Sequence, residues 1–260
     1  MPFTDQLNRA VDLKKSPKRI VSLVPSQTEL LCYLGLAKYI VGVTKFCVHP
    51  NNIKKNVTIV GGTKHINLDK LRLLKPDIVL CNKEENTKDI VDACQLVCPV
   101  HVSNVFNISS SIELIQHYGH VFNIQYEALL LIKKIEQEVL SFKKLMGTTN
   151  LKRVAYFIWK TPWMVAGNNT YINAILDLNK FDNIYADKER YPEININNLE
   201  VNNQVDLVLL SSEPYPFSKK HLPDIKPFYP NAKIVCVDGE MFSWYGSRLL
   251  LALKYFTALH

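Results

Sequence analysis

Histidine, carboxylate and flat aromatic side chains recur where short apolar runs of this sequence give way to glycine, proline and asparagine. Phe46 and His49 stand in "TKFCVHP", Lys64 and His65 in "GGTKHINL", and Lys83 and Glu84 in "LCNKEEN". Later come Trp159 and Trp163 in "IWKTPWMVAG", Arg190 and Tyr191 in "RYPEININNLE", Glu213 after "VLLSS", and Trp244, Tyr245 and Arg248 in "SWYGSRLL". An imidazole can ligate a metal or carry a proton, a carboxylate can act as a base, and an aromatic face can stack on a flat ligand. Catalysis needs more than this inventory. Ser26 with His49 or His65 and a carboxylate has the residue types of a nucleophilic triad, but no motif fixes their geometry. "VSLVPSQTE" offers proline and serine where a dinucleotide-binding turn needs glycine, and there is no P-loop, H-E-x-x-H or G-x-S-x-G. The expectation is a binding surface, with no catalytic residue and no metal cluster assigned.

The elements that position these residues follow from periodicity. β-Branched runs at 19–24, 39–43, 77–82, 99–103, 153–159, 205–212 and 232–238 alternate with helical patterns, which predicts parallel sheet with crossover helices. A helix over 26–36 is expected to start with a Ser26–Glu29 capping box and to stop at Gly35. Apolar residues at helical spacing across 123–147 predict one long helix, and a closing helix is expected from about 246 to 259. "NLDKLRLLKPDIVL" at 67–80 is echoed by "NLEVNNQVDLVL" at 198–209, an internal repeat that predicts two similar α/β lobes. The division expected is an N-terminal lobe over 1–122, a connecting helix over 123–147 and a C-terminal lobe over 148–260. A cleft between such lobes is the default ligand site.

Composition agrees with a folded binder: of 260 residues, 47% are hydrophobic and 21% charged. The formal charge of +7 favours anions, but Lys and Arg are scattered, so nucleic-acid binding is not expected. The apolar run "IVSLV" is too short for a membrane span or a signal-peptide core, so neither insertion nor ordinary export is expected. The cysteines lie mostly in apolar runs such as "DIVLCN" and "KIVCVD", which suits reduced, buried thiols. Only Cys94 and Cys98 are close in sequence, a weak metal signal.

Together "RIVSLVPSQTELLCYLGL", "VGVTKFCVHP", "NLDKLRLLKPDIVLCN", the single central helix, "RYPE" and "SWYGSRLL" resemble the helical-backbone substrate-binding proteins of ABC importers, in particular their cobalamin-binding-like branch. The resemblance runs from about Arg19 to Leu253. It implies two Rossmann-like α/β lobes, a rigid connecting helix and a ligand held in a shallow cleft between the lobes. It implies a non-catalytic protein with no required cofactor, whose ligand is cobalamin or another corrinoid, haem or an iron chelate. Phe46, Trp163 and Tyr191 match cleft aromatics, while Thr63 and Asn82 stand where cobalamin binders carry tryptophans and Trp244 and Tyr245 are expected to compensate. Lys64, Lys83, Arg190 and Arg248 are expected to meet propionates, phosphate or amides at the rim. Pro25, Ser26, His49, His65, Glu84, Trp159 and Glu213 complete the expected ligand contacts. Asp69 matches the first of two carboxylates that dock into basic pockets of the permease; the second position falls on Asn197 or Asn198, with Glu200 close by and supported by the internal repeat, so a permease and an ATPase are the implied partners. The family works in the periplasm or cell envelope. With no export signal, the alternative is a cytoplasmic carrier of a tetrapyrrole or metal cofactor, or an enzyme on the same fold using His49 or His65 with Glu84 or Glu213.

Overall fold

A computed structural model describes residues 2–198 and 202–260. The chain divides into two compact units. The first runs to Val105 and adds Ser109–Glu136 and Trp244–Leu250; the second comprises Phe106–Ile108, Gln137–Ser243 and Leu251–His260.

The first unit opens with an antiparallel hairpin, β1 (Pro2–Thr4) and β2 (Ala10–Asp12). Its main sheet is parallel, in the order β5 (Thr58–Gly61), β4 (Ile40–Thr44), β3 (Ile20–Ser22), β6 (Ile78–Asn82), β7 (Val100–Ser103). Helices α1 (Pro25–Tyr33), α2 (Leu68–Leu73) and α3 (Lys88–Gln95) provide crossovers, and α4 (Ile108–Phe122) follows β7. Val21, Leu23, Val79, Cys81, Val100 and Val102 are buried in one cluster with Leu71, Ile90 and Val91 from α2 and α3. Each such aliphatic side chain removed from water contributes roughly 1.5–3 kcal/mol before conformational entropy is counted.

Helix α1 does not start as expected. Its N-cap is Val24, without a side-chain cap bond, and Pro25 opens the first turn. Proline lacks the amide that a cap would satisfy, so the helix begins one residue early and places Ser26 and Glu29 inside it. Its end is as predicted: the Gly35 amide donates to the Cys32 carbonyl at 3.1 Å and the Leu36 amide to Leu31 at 2.9 Å, with Gly35 at φ +79°.

The long helix α5 spans Gln125–Met146, 22 residues. In the second unit β8 (Lys152–Trp159) lies between β10 (Phe181–Asn183) and β11 (Leu207–Ser211), and β12 (Lys233–Val237) pairs with β11, all parallel. The short β9 (Met164–Val165) folds back antiparallel on β8. Helix α6 (Tyr171–Leu178), short helices α7 (Leu222–Ile225) and α8 (Gly239–Ser243), and the closing helix α9 (Leu249–Leu259) complete it.

The internal repeat is visible in bonding as well as in order. The Asp77 amide donates to the Arg19 carbonyl at 2.8 Å while the Arg19 amide donates to Asp77 Oδ2 at 2.9 Å. The Asp206 amide donates to the Arg153 carbonyl at 2.9 Å and the Arg153 amide to Asp206 Oδ2 at 2.7 Å. In each unit an aspartate before one strand thus pins an arginine at the start of its neighbour. The order β4-β3-β6-β7 has its counterpart in β10-β8-β11-β12.

Candidate functional site

The candidate residues of the first unit follow the carboxyl ends of its strands, where open parallel sheets place ligand contacts. After β4, Phe46 is 49% exposed and Lys45 Nζ lies 5.0 Å from its ring centre. A Cβ on Gly62 would stand 3.2 Å from Phe46 Cε2, so glycine lets the loop after β5 lie directly against that ring. This loop closes tightly: Gly61 has φ +138°, and the Gly62 amide donates to the His65 carbonyl at 2.7 Å. Lys64 and His65 are exposed at its tip. After β6, the Asn82 side chain accepts from the amides of Glu84 at 2.8 Å and Glu85 at 3.2 Å, shaping the turn that carries exposed Lys83 and half-buried Glu84. Lys64 Nζ donates to the Glu84 carbonyl at 2.7 Å and Asn86 Nδ2 to the Thr63 carbonyl at 2.9 Å, so the two loops are tied together.

Pro25 and Ser26 follow β3 but are buried in α1. Trp244 and Tyr245, at 7% and 6% exposure, are also covered by protein. Trp244 meets His49 edge-on at 5.5 Å and the Arg248 guanidinium at 4.9 Å. Tyr245 lies in a buried polar network: Gln27 Nε2 reaches Ser103 Oγ at 2.6 Å, Tyr245 Oη at 3.0 Å and the Cys81 carbonyl at 3.2 Å, while Tyr118 Oη donates to Gln27 Oε1 at 2.7 Å. Burial pushes the Tyr245 phenol up to about 12. Buried Arg248 donates from Nε to Glu29 Oε2 at 2.9 Å. These residues, expected at a ligand, shape the interior of the first unit. Sequence reasoning missed Gln27 because a polar S-Q-T-E run at a helix start reads as capping.

In the second unit Trp159 ends β8, 38% exposed and edge-on to Tyr215 at 5.5 Å. Trp163 stacks on Phe217 at 6.3 Å with planes 7° apart and meets Phe157 edge-on at 5.6 Å. Its ring is thus half-buried against the unit's own core. The "RYPE" segment zips onto β9: Gly167 donates to the Arg190 carbonyl at 2.7 Å, Arg190 to Asn168 at 2.8 Å, and Val165 to Pro192 at 3.2 Å. These backbone bonds hold the residues on either side of Tyr191, with the Arg190 guanidinium 5.9 Å from its ring. Glu213 accepts from Ser243 Oγ at 2.7 Å beside Gly239, where a Cβ would meet Glu213 Cγ at 2.5 Å.

Asp69, in the first turn of α2, has its side chain 87% exposed and pairs with Arg72 at 3.0 Å. Glu200 lies outside the described residues. Among the described residues no three His, Cys, Asp or Glu side chains form a group able to hold a metal. The cysteines are free thiols, and burial pushes Cys98 up to about 12 and Cys32 up to about 11.

Two parallel-sheet units with aromatic and cationic side chains on the loops after their strands define the class: a doubled α/β protein. The chain belongs to the periplasmic binding protein family, matched over residues 20–226. It is 30% identical over 195 residues to the ABC transporter substrate-binding lipoprotein YvrC of Bacillus subtilis (strain 168), covering 71% of this chain and 60% of that one. This chain therefore spans less than two thirds of that relative's length. The vitamin B12-binding protein of Yersinia pestis (strain Pestoides F) is 22% identical over 92% of this chain and 85% of its own. The fold matches the periplasmic vitamin B12 binding protein of Vibrio cholerae with a TM-score of 0.80 at 18% identity, covering 94% of this chain and 96% of that one. It also matches a periplasmic heme binding protein of Pseudomonas aeruginosa with a TM-score of 0.81 at 18% identity, covering 94% and 92%. Among the described residues no helix is long and apolar enough to cross a membrane.

Proposed function

We propose that this chain is the non-catalytic substrate-binding protein of an ABC importer, capturing a corrinoid, haem or iron chelate and delivering it to a permease and its ATPase at the cell envelope. The observation that carries the reading is the pairing of aromatic faces with nearby cations on strand-end loops of each unit: exposed Phe46 with Lys45, and half-buried Tyr191 with Arg190. Flat faces contribute stacking and apolar burial to a planar macrocycle, and cations complement its carboxylates or phosphate. The proposed contacts of the first unit are Phe46, His49, Lys64, His65 and Lys83, and those of the second unit, taken by itself, are Trp159, Arg190 and Tyr191. Asp69 is the proposed permease-docking carboxylate of the first unit, because exposed charge sets orientation at such an interface.

Family membership supports a binder over an enzyme, and the lipoprotein and periplasmic proteins among the similar chains support the importer over an intracellular carrier. The test is an absorption spectrum of the purified protein followed by calorimetric titration with cobalamin, cobinamide and haemin. Saturable binding of one of them is expected. Failure of all three, and of a ferric hydroxamate, sinks the proposal.

A further inference from the structure

The first sheet ends at β7, which pairs with β6 alone. Its outward backbone groups are met by side chains of the β1–β2 hairpin and its turn. The Val102 amide donates to Asp5 Oδ2 at 3.0 Å, Arg9 Nη2 donates to the Val100 carbonyl at 3.2 Å, and just past the strand the Asn104 amide donates to Gln6 Oε1 at 3.0 Å. An uncovered edge strand is a template for pairing with another chain, so the hairpin serves as its cover.

Beneath this cover lies His101 of β7, 0% exposed. Phe3 stacks on its ring at 5.7 Å, 17° from parallel, and stands edge-on to His117 of α4 at 5.1 Å. His117 and Tyr118 approach His101 edge-on at 5.8 Å and 5.6 Å. Neither ring nitrogen of His101 has a hydrogen-bond partner, and Nδ1 of His117 has none. A charged imidazole in that position would be desolvated and without an acceptor.

We propose that the β1–β2 hairpin is an acid-releasable cover on the β7 edge, opened when His101 takes up a proton. Asp5 and Arg9 face the histidine pair from the hairpin, and Glu113 and His120 face His117 from α4. Asp5 favours a proton on either ring, but it is already engaged by Arg9 at 2.8 Å; Arg9 opposes protonation of His101, and His120 that of His117. Burial, then the neighbouring His117, push His101 down to about 3. A folded-state value below that of a solvated imidazole means the closed hairpin is fully favoured above about pH 6.5 and loses ground as pH falls toward the folded value. Between pH 7.5 and 4.5 the closed form loses on the order of 100-fold against the open one.

The test is amide hydrogen exchange of the full chain at pH 7.5 and 4.5, corrected for intrinsic exchange. Protection of segments 3–12 and 99–104 is expected to fall on the order of 100-fold, with β3 and β4 retaining theirs. His101→Phe, which keeps a ring for Phe3 to stack on, is expected to abolish the fall. Unchanged protection in the wild type, an equal fall in His101→Phe, or a fall spread evenly over the sheet would each overturn the proposal. Should that variant not fold, NMR titration of the wild-type imidazoles decides. Ring protonation of His101 is expected to coincide with hairpin opening, and titration at an ordinary value under a still-protected hairpin would refute it.

Discussion

Arg248 Nε donates to Glu29 Oε2 at 2.9 Å, with both side chains largely withdrawn from solvent and the guanidinium 4.9 Å from the Trp244 ring. An arginine that reads in sequence as a rim cation is thus held against α1. Removing one partner of such a pair strands a desolvated charge, so Arg248→Ala is expected to cost about 3 kcal/mol in urea unfolding. Combining Arg248→Met with Glu29→Leu should recover much of that loss. Ligand affinity of the folded fraction should change little in either variant.

Gln27 is the centre of the buried network that holds Tyr245, Tyr118 and Ser103. Gln27→Leu removes its bonds but leaves the partner hydroxyls buried, and is expected to destabilise by about 2 kcal/mol. Tyr245→Phe should cost about 1 kcal/mol. Denaturant midpoints at constant slope check both.

The aromatics should separate into two kinds. Phe46→Ala and Trp159→Ala expose little new surface and are each expected to weaken macrocycle binding about tenfold at nearly unchanged stability, a stacking contribution of about 1.4 kcal/mol. Trp163→Ala breaks the stack on Phe217 and should instead lower stability by about 3 kcal/mol. Calorimetric titration and thermal unfolding of the same three variants distinguish the two outcomes.

Asp5 gives a pH signature of the same sign as that of the histidines but at lower pH. Burial alone would raise its pKa, but hydrogen bonds from Arg9 and the Val102 and Leu7 amides outweigh it and hold the carboxyl below its usual range. Its contribution is therefore present above the unfolded value of about 3.9 and lost as pH falls through the folded one. Asp5→Asn should cost about 2 kcal/mol at pH 7, with the difference from wild type shrinking below pH 4. Urea unfolding at a series of pH values would show it.

The docking role proposed for Asp69 predicts loss of transport without loss of capture. Asp69→Lys should leave ligand affinity and unfolding midpoint unchanged, since its contact with Arg72 is exposed. Permease-dependent uptake should fall severalfold. Full uptake would remove Asp69 from the interface.

Much of the fold was legible in the sequence because its signals are local. Seven apolar runs became parallel strands, "NIQYEALLLIKKIEQEVLSFKKLMG" became the 22-residue α5, and Gly35 ended α1. The repeat was legible too, since Asp77 and Asp206 each sit one residue before a buried strand position and bond the same kind of partner. The β1–β2 hairpin was not foreseen, because "MPFTDQLNRAVDLKK" is polar and its strands have three residues each. Its fixing comes from Asp5, Gln6 and Arg9 reaching residues about a hundred positions away.

The candidate site was legible only as a set of loops. Residue type and strand-end position marked Phe46, Lys64, Lys83, Trp159 and Tyr191, and nothing local distinguished them from Trp244, Tyr245 and Arg248. That difference is one of partners: Gln27, His49 and Glu29 cover the latter three from distant parts of the chain. By itself the sequence determined element type, order and the doubled α/β plan, since periodicity and turn chemistry act over a few residues. Tertiary structure alone decided which polar and aromatic side chains face solvent and which are spent on the interior, because burial depends on contacts that no local pattern records.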